Sequence, residues 1–160
     1  MSILQRCFNY LEKHGVRYSH SIHSPARTAL ETADAERMPA HELAKTVVYH
    51  CDNGFGMAVV PADHFLDFGE LRRALGLSGV RLAYEAELEE LFPGCELGAM
   101  PPFGPLFDLP VIVDEYIAAQ EFTAFNAGTH RDVIRMSFED YRRLVKPLIG
   151  FVSLTKEVFA

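Results

Sequence analysis

The sequence predicts a mixed α/β fold, in which a curled, barrel-like mixed β-sheet of about six or seven short strands is surrounded by helices. The clearest sign is a hairpin, with a β-branched and aromatic strand at Lys45–Cys51, a turn at Asp52–Gly54 and a return strand at Phe55–Val60. Short strand patterns and helical periods alternate along the rest of the chain. The length of 160 residues fits a single domain over residues 1–160.

The elements before the hairpin are a helix, a strand and a second helix. Apolar residues from Ile3 to Leu11 follow helical spacing, and Gly15 is a suitable helix stop. Arg17–Ile22 alternates like a short strand. Ser24-Pro25 indicates a turn or a helix cap, and Arg27–Met38 is predicted to be helical.

Capping and turn residues define the elements after the hairpin. Asp67 and Ser137 are each predicted to cap a helix, because an acidic residue follows three positions later. The predicted helices are Phe68–Leu75, Glu85–Phe92, Glu115–Ala119 and Phe138–Leu144. The predicted strands are Val80–Leu82, Val111–Asp114, Glu121–Asn126 and Asp132–Met136. The segment Cys95–Pro110 is an apolar loop rich in Pro and Gly, which indicates either a packed crossover or a pocket wall.

Composition and charge place the chain among ordinary cytoplasmic proteins. The amino-terminal segment lacks the pattern of a signal peptide, and no apolar run is long enough to span a bilayer. Three widely spaced cysteines argue against a disulfide framework. Nine acidic residues and no Lys or Arg lie from Tyr84 to Glu121, so this segment carries a charge of −9. Because the net charge of the chain is −7, the remaining residues carry about +2. A locally basic face for a phosphate backbone is therefore still available.

Lys45 is the first candidate for chemistry, because it heads an otherwise apolar strand. An ammonium group at the edge of a core is partly desolvated and can donate to a carbonyl or phosphate oxygen. The alternative interpretation is a solvated lysine at a strand entrance, since lysine is rarely buried without a partner.

Two loops offer further candidates. In Gly98-Ala99-Met100-Pro101-Pro102, the glycine allows close approach to a ligand, and exposed N–H groups can stabilise an oxyanion. The turn Asn126–His130 brings an amide, a hydroxyl and an imidazole onto one connection. Plain structural turns remain the alternative for both loops.

Other known site patterns are absent from the sequence. His20, His23 and His41 are scattered and lack the HExxH or CxxC spacing of a metal site, so no metal is predicted. The sequence also has no phosphate-binding glycine motif and no GxSxG nucleophile motif. We therefore expect no cofactor.

Five segments in order resemble the YbaK/ProX family of trans-editing aminoacyl-tRNA deacylases, which is related to the editing domain of bacterial prolyl-tRNA synthetases. These segments are AKTVVY, AVVPADHFLDFGELRRALG, GAMPPFG, LPVIVDE and FNAGTHRDVIRMSFED, and the resemblance runs over about residues 44–144. The loop here reads Met-Pro-Pro where many members have Ser or Thr before Pro-Phe. The amino acid that is removed is therefore left open.

The resemblance implies a YbaK-like fold and hydrolysis of the ester of mischarged tRNA in the cytoplasm, without a cofactor. The implied catalytic residues are Lys45, Gly98, Ala99 and His130. The implied substrate-binding residues are Tyr18, Met100, Pro101, Pro102, Phe103, Asn126, Gly128 and Thr129. The aminoacyl end of tRNA is the implied partner, with an aminoacyl-tRNA synthetase as a second partner and no membrane.

Two alternatives remain open from the residues. One is a binding or regulatory module that kept the fold without hydrolysis. The other is a hydrolase of a different small aminoacyl ester, which the acidic net charge of −7 allows.

Overall fold

The structure is a computed structural model that describes residues 1–23, 26 and 28–156. Its helices are α1 (Ile3–Lys13), α2 (Ala29–Ala35), α3 (Phe68–Leu75), α4 (Glu85–Leu91), α5 (Glu115–Ala118) and α6 (Phe138–Val145). Its strands are β1 (Tyr18–Ile22), β2 (Ala44–Cys51), β3 (Gly54–Pro61), β4 (His64–Leu66), β5 (Val80–Leu82), β6 (Val111–Asp114), β7 (Phe122–Asn126), β8 (Asp132–Ser137), β9 (Leu148–Gly150) and β10 (Ser153–Thr155). Short 3₁₀ turns lie at Ala40–Glu42 and Gly104–Leu106.

The predicted hairpin is confirmed and forms the centre of a five-stranded mixed sheet in the order β5-β2-β3-β6-β9. Strands β2 and β3 pair without interruption from Ala44 opposite Pro61 to Cys51 opposite Gly54. Strand β6 runs parallel to β3, and β9 runs parallel to β6. The predicted mixed α/β class is therefore correct.

The prediction of one curled, barrel-like sheet needs correction. Strands β7 and β8 pair with each other and with β1 in a separate antiparallel sheet, and β4 pairs with β10 in a two-stranded ribbon. Among the residues that the structure describes, one isolated bridge, between Leu43 just before β2 and Ala124 of β7, links the second sheet to the hairpin. Within the described ranges, the strands do not close into a barrel. Alternation identifies the two faces of a strand but not its neighbours, so the sequence cannot distinguish one sheet from three.

The described part of the chain contains ten strands rather than six or seven. Strands β4, β9 and β10 have three residues each, and two of them lie in the tail beyond Lys146. Three residues complete little more than one period of alternation, so these strands had no clear pattern, whereas the equally short β5 follows Gly76 and Gly79.

The capping residues are confirmed. The side chains of Asp67 and Ser137 accept hydrogen bonds from the backbone of Glu70 and Asp140. Within the predicted helix Arg27–Met38, the structure has α2, whose cap is Thr28. The predicted turn at Ser24-Pro25 and the start of that helix at Arg27 lie outside the described residues.

The two faces of the five-stranded sheet bury different cores. Ala44 and Val48 of β2 join the main core, which also contains side chains from α1, α6, β7 and β8. Val47 and Tyr49 face a smaller core with Leu71 of α3. Strand alternation therefore places Lys45, two residues before Val47, on the side of the smaller core. No helix of the described residues is long and apolar enough to cross a membrane.

Candidate active site

The Gly98 loop and the turn between β7 and β8 are hydrogen-bonded to each other. The Gly128 N–H donates to Ala99 O at 2.8 Å, and the Glu96 N–H donates to Gly128 O at 2.9 Å. The His130 N–H donates to a Glu96 carboxylate oxygen at 3.0 Å. The structure thus brings together two segments that the sequence separates by about 30 residues.

Gly98 is required at its position by backbone geometry. Its φ of +85° lies in a region that L side chains rarely adopt. A Cβ atom at Gly98 would lie 3.2 Å from Cε1 of His130. Glycine therefore allows the loop backbone to lie directly against the imidazole ring.

The His130 ring packs against the backbone of the Gly98 loop. Its Nε2 lies within hydrogen-bond distance of Leu97 O, and since a carbonyl only accepts, Nε2 carries the proton. Its Nδ1 is buried and has no hydrogen-bond partner among residues 1–23, 26 and 28–156. In this arrangement Nε2 of His130 is bonded to the Leu97 carbonyl and Nδ1 is buried, so His130 positions the Leu97–Gly98 backbone.

The backbone amides of the loop differ in availability. The Ala99 N–H, an expected oxyanion donor, already donates to Glu96 O at 3.0 Å, so it is not free in this conformation. The N–H groups of Gly98 and Met100 have no acceptor within the described part of the chain. The loop amides that keep a free N–H among the described residues are therefore those of Gly98, which is exposed, and Met100, which is buried.

The residues after Gly98 are buried. Met100 and Phe103 belong to the main core, and Pro101 and Pro102 are buried beside them. The Phe103 ring packs against Tyr10 and Phe125, with ring centroids at 5.4 Å and 5.2 Å. Phe103, an expected substrate contact, is therefore a core residue, because its side chain is fully enclosed.

Tyr141 anchors this loop to α6. Its buried hydroxyl donates to Pro102 O at 2.6 Å. Tyr141→Phe is expected to destabilise the fold by about 1–3 kcal/mol, because the Pro102 carbonyl loses its buried partner. Urea unfolding of both proteins measures the difference. Tyr10→Phe is the matched control, since its hydroxyl lies 3.5 Å from Leu144 O and a small loss is expected. Equal losses in the two variants would contradict the anchoring role.

The β7–β8 turn contains a polar network that sequence reasoning missed in part. The Thr129 hydroxyl donates to Asp132 at 2.5 Å, and Asp132 also accepts from Nε2 of His20 at 2.6 Å. The Asn126 side chain donates to Thr129 O at 3.3 Å. The sequence showed His20 only as a scattered histidine and gave no signal for Asp132, because the pair spans 112 residues.

Lys45 lies in a different environment. It is half-buried on β2 opposite Val60. Burial, and secondarily the positive charge of Lys156, lower the pKa of Lys45 to about 8, while the negative charge of Asp63 acts in the opposite direction. No contact described in the structure joins Lys45 to Gly98 or His130, so their shared pocket stays a prediction. Thr46, the next residue, buries a hydroxyl that has no partner among the described residues.

Tyr18 also lies apart from the loop and turn. Its hydroxyl donates to Glu12 of α1 at 3.0 Å, and its ring stacks on Phe8, with the ring centroids 5.7 Å apart.

A groove of about 460 Å³ lies elsewhere on the protein. It is lined by residues that include Tyr116, Phe122 and Arg135, and by none of the predicted site residues. Over the described ranges, no group of three His, Cys, Asp or Glu residues is placed to hold a metal ion.

Comparison with known proteins gives three findings. The sequence profile of the aminoacyl-tRNA editing domain matches residues 23–144. A proline–tRNA ligase of Bacillus cereus (strain AH187) is 28% identical over 132 residues, which cover 76% of this chain and 23% of the ligase. The multifunctional Ser/Thr-tRNA deacylase ProXp-y of Escherichia coli (strain K12) is 33% identical over 97 residues, which cover 59% of this chain and 58% of the deacylase. The chain thus spans about a quarter of the length of the ligases it matches.

A solved structure has a similar fold. It is a protein provisionally assigned as a trans-editing enzyme for prolyl tRNA synthetase, with a TM-score of 0.83 and 24% identity. The match covers 96% of this chain and 98% of that one. At this identity the likeness shows the fold alone.

Proposed function

Because the chain belongs to the family of aminoacyl-tRNA editing domains, we propose that it hydrolyses the ester of mischarged tRNA as a trans-acting editing protein. The observation that carries the proposal is the family match over residues 23–144. This range includes Lys45, the Gly98 loop and the β7–β8 turn that is hydrogen-bonded to the loop. The likeness to a deacylase that acts on Ser- and Thr-tRNA supports the same reaction.

The proposed reaction is attack of water on the ester carbonyl carbon. The new bond joins the water oxygen to that carbon, and the bond to the ribose oxygen breaks, which releases a free amino acid and a tRNA hydroxyl. Charge develops on the carbonyl oxygen during attack, and the N–H groups of Gly98 and Met100 are proposed to stabilise it. One such donor is typically worth about 2.7–4 kcal/mol in the transition state.

Lys45 is proposed to hold the carbonyl or the terminal phosphate of the same substrate. It lies next to the last pair of the hairpin, Ala44 opposite Pro61. A lysine stem packs on the core while its ammonium extends beyond it, so the charge can reach the end of the sheet. His130 is proposed to act by holding Gly98 in position, because its Nε2 is bonded to Leu97 O and its Nδ1 is buried.

Substrate selection is proposed to involve more than the pocket. One methylene changes binding by only about 1–3 kcal/mol in an apolar pocket, so size alone discriminates weakly. Contacts to tRNA, or a synthetase as a second partner, are proposed to supply the rest. A cytoplasmic location belongs to the same proposal, since the substrate is charged tRNA used in translation.

Two features of the architecture are part of this proposal. Residues 1–160 are proposed to act as one domain, because one core contains residues from Ile3 of α1 to Val145 of α6. The curled arrangement of a YbaK-like fold is also proposed, since that core receives side chains from both the five-stranded and the three-stranded sheets.

The experiment compares two esters of the same amino acid, one on tRNA and one on adenosine. Release of free amino acid from tRNA much faster than from adenosine is the expected result. Equal rates would favour a hydrolase of small aminoacyl esters. Binding of mischarged tRNA without release would favour a module that lacks hydrolysis.

Gly98→Ala is expected to lower the deacylation rate by roughly tenfold, because strain at a positive φ typically costs about 1–3 kcal/mol and shifts the loop amides. Single-turnover release of amino acid measures the change. Gly76→Ala is the control, since Gly76 also has a positive φ, of +65°, but lies at the end of α3 with open space around its Cβ position. A rate for Gly98→Ala no lower than that of the control would contradict the role of the loop.

A further inference from the structure

A second lysine, Lys156, lies outside the loop and turn described above, beside the β3–β4 connection that follows the partner strand of Lys45. Lys156 follows β10, and its N–H donates to Asp63 O at 3.1 Å. Its ammonium group lies over the Phe65 ring, 5.1 Å from the centroid. These two contacts fix both the backbone and the side chain of Lys156 beside the β3–β4 connection.

The same connection approaches Lys45. Asp63 lies three residues beyond Val60, the partner of Lys45 in the hairpin. The positive charge of Lys156 and the negative charge of Asp63 both act on Lys45. Lys45, Lys156 and Asp63 thus form one cluster, which we call the two-lysine cluster.

The two-lysine cluster has an excess of positive charge. Neither ammonium group has a carboxylate within ion-pair distance among the residues that the structure describes. The Asp63 carboxylate, which acts on Lys45, lies 3.7 Å from Nε2 of His64, while Lys45 is half-buried and Lys156 is partly buried. Bringing like charges together in a partly desolvated site costs free energy, and a bound anion offsets that cost.

We propose that Lys156 completes, with Lys45, a subsite for a phosphodiester of the tRNA acceptor end. The inference rests on the proposed function, which supplies a substrate with phosphates next to the reacting ester. Lysine binds phosphate as a compact point charge, so two lysines suit a phosphate that must also be released after each turnover. Lys156 is then a binding residue, while Lys45 lies nearer to the reacting ester.

The test measures KM and kcat of Lys156→Gln on mischarged tRNA and on the same amino acid esterified to adenosine, which has no phosphate. We expect KM for tRNA to rise about five- to tenfold with little change in kcat. We expect no change for the adenosine ester. The slope of log KM for tRNA against log salt concentration should be lower by about 0.7 in Lys156→Gln than in the wild type, which is the value for one lost phosphate contact to a single strand.

Lys13→Gln is the matched control, because Lys13 is an exposed lysine in the last turn of α1. An equal rise in KM for Lys13→Gln would overturn the subsite in favour of a general charge effect. An unchanged KM for Lys156→Gln on tRNA, or an equal loss on the adenosine ester, would overturn it as well. Inorganic phosphate could inhibit the wild type but not Lys156→Gln, while the two proteins have the same kinetics on tRNA. That result would assign the cluster to free phosphate instead. Wild-type protein that does not hydrolyse any tRNA ester would refute the proposed function, which separates the two failures.

Discussion

Lys45→Ala is expected to slow deacylation of mischarged tRNA by about one to two orders of magnitude. The variant removes the charge-assisted hydrogen bond that is proposed between the half-buried Lys45 and the substrate, and such a bond is worth roughly 1.5–3 kcal/mol. Single-turnover release of free amino acid measures the rate. Circular dichroism and thermal unfolding establish that the variant is folded.

Lys45→Arg provides the matched variant, because it keeps the positive charge and changes its shape. We expect only partial rescue, since a planar guanidinium fork does not replace a compact ammonium in a confined site. A folded Lys45→Ala protein that hydrolyses the ester as fast as the wild type would show that Lys45 is structural.

The second large effect is expected in the dependence of the deacylation rate on pH. The pKa of Lys45 is lowered from 10.5 to about 8, first by burial and then by the charge of Lys156, against the opposing effect of Asp63. If the ammonium form is the active one, the rate should fall about tenfold per pH unit above pH 8. The measurement is the rate from pH 6.5 to 9.5, after subtraction of spontaneous ester hydrolysis. Lys45→Arg should lack this decline, because arginine stays protonated throughout.

The titration of Lys45 does not itself destabilise the fold over this pH range. The pKa of Lys45 is lower in the folded state than in the unfolded chain, so the folded state loses its proton more readily. The contribution of Lys45 therefore makes the fold more stable as pH rises from about 8 to about 10.5. A rate that rises through pH 8 in a manner that depends on Lys45 would contradict the ammonium role and indicate that the neutral amine acts.

Local signals were sufficient to predict most of the elements. The hairpin register follows from a β-branched strand, the turn at Asp52–Gly54 and the return strand. Asp67 and Ser137 start helices because a short polar side chain satisfies the free N–H groups of the first turn. Sheet membership was not predictable, since the separation of β7 and β8 from the hairpin depends on pairing with β1, more than 100 residues away in the chain.

The sequence was sufficient to identify the two loops of the candidate site, but not the hydrogen bonds and packing of their residues. Glycine and proline identified the Gly98 loop, and the polar turn Asn126–His130 identified its neighbour. The sequence does not show that the Ala99 N–H is already bonded or that Phe103 is enclosed by aromatic rings, because both depend on tertiary packing. Lys156 had no sequence signal, since its position depends on the pairing of β10 with β4.

Quantitative release of amino acid from a panel of mischarged tRNAs tests the central claim most directly. The folded protein is incubated with each tRNA, and both the free amino acid and the tRNA that can be charged again are measured. We predict that at least one mischarged tRNA loses its amino acid well above the buffer rate and is recovered intact. Esters that persist at the buffer rate across the whole panel, with folded protein present in excess, would contradict the account.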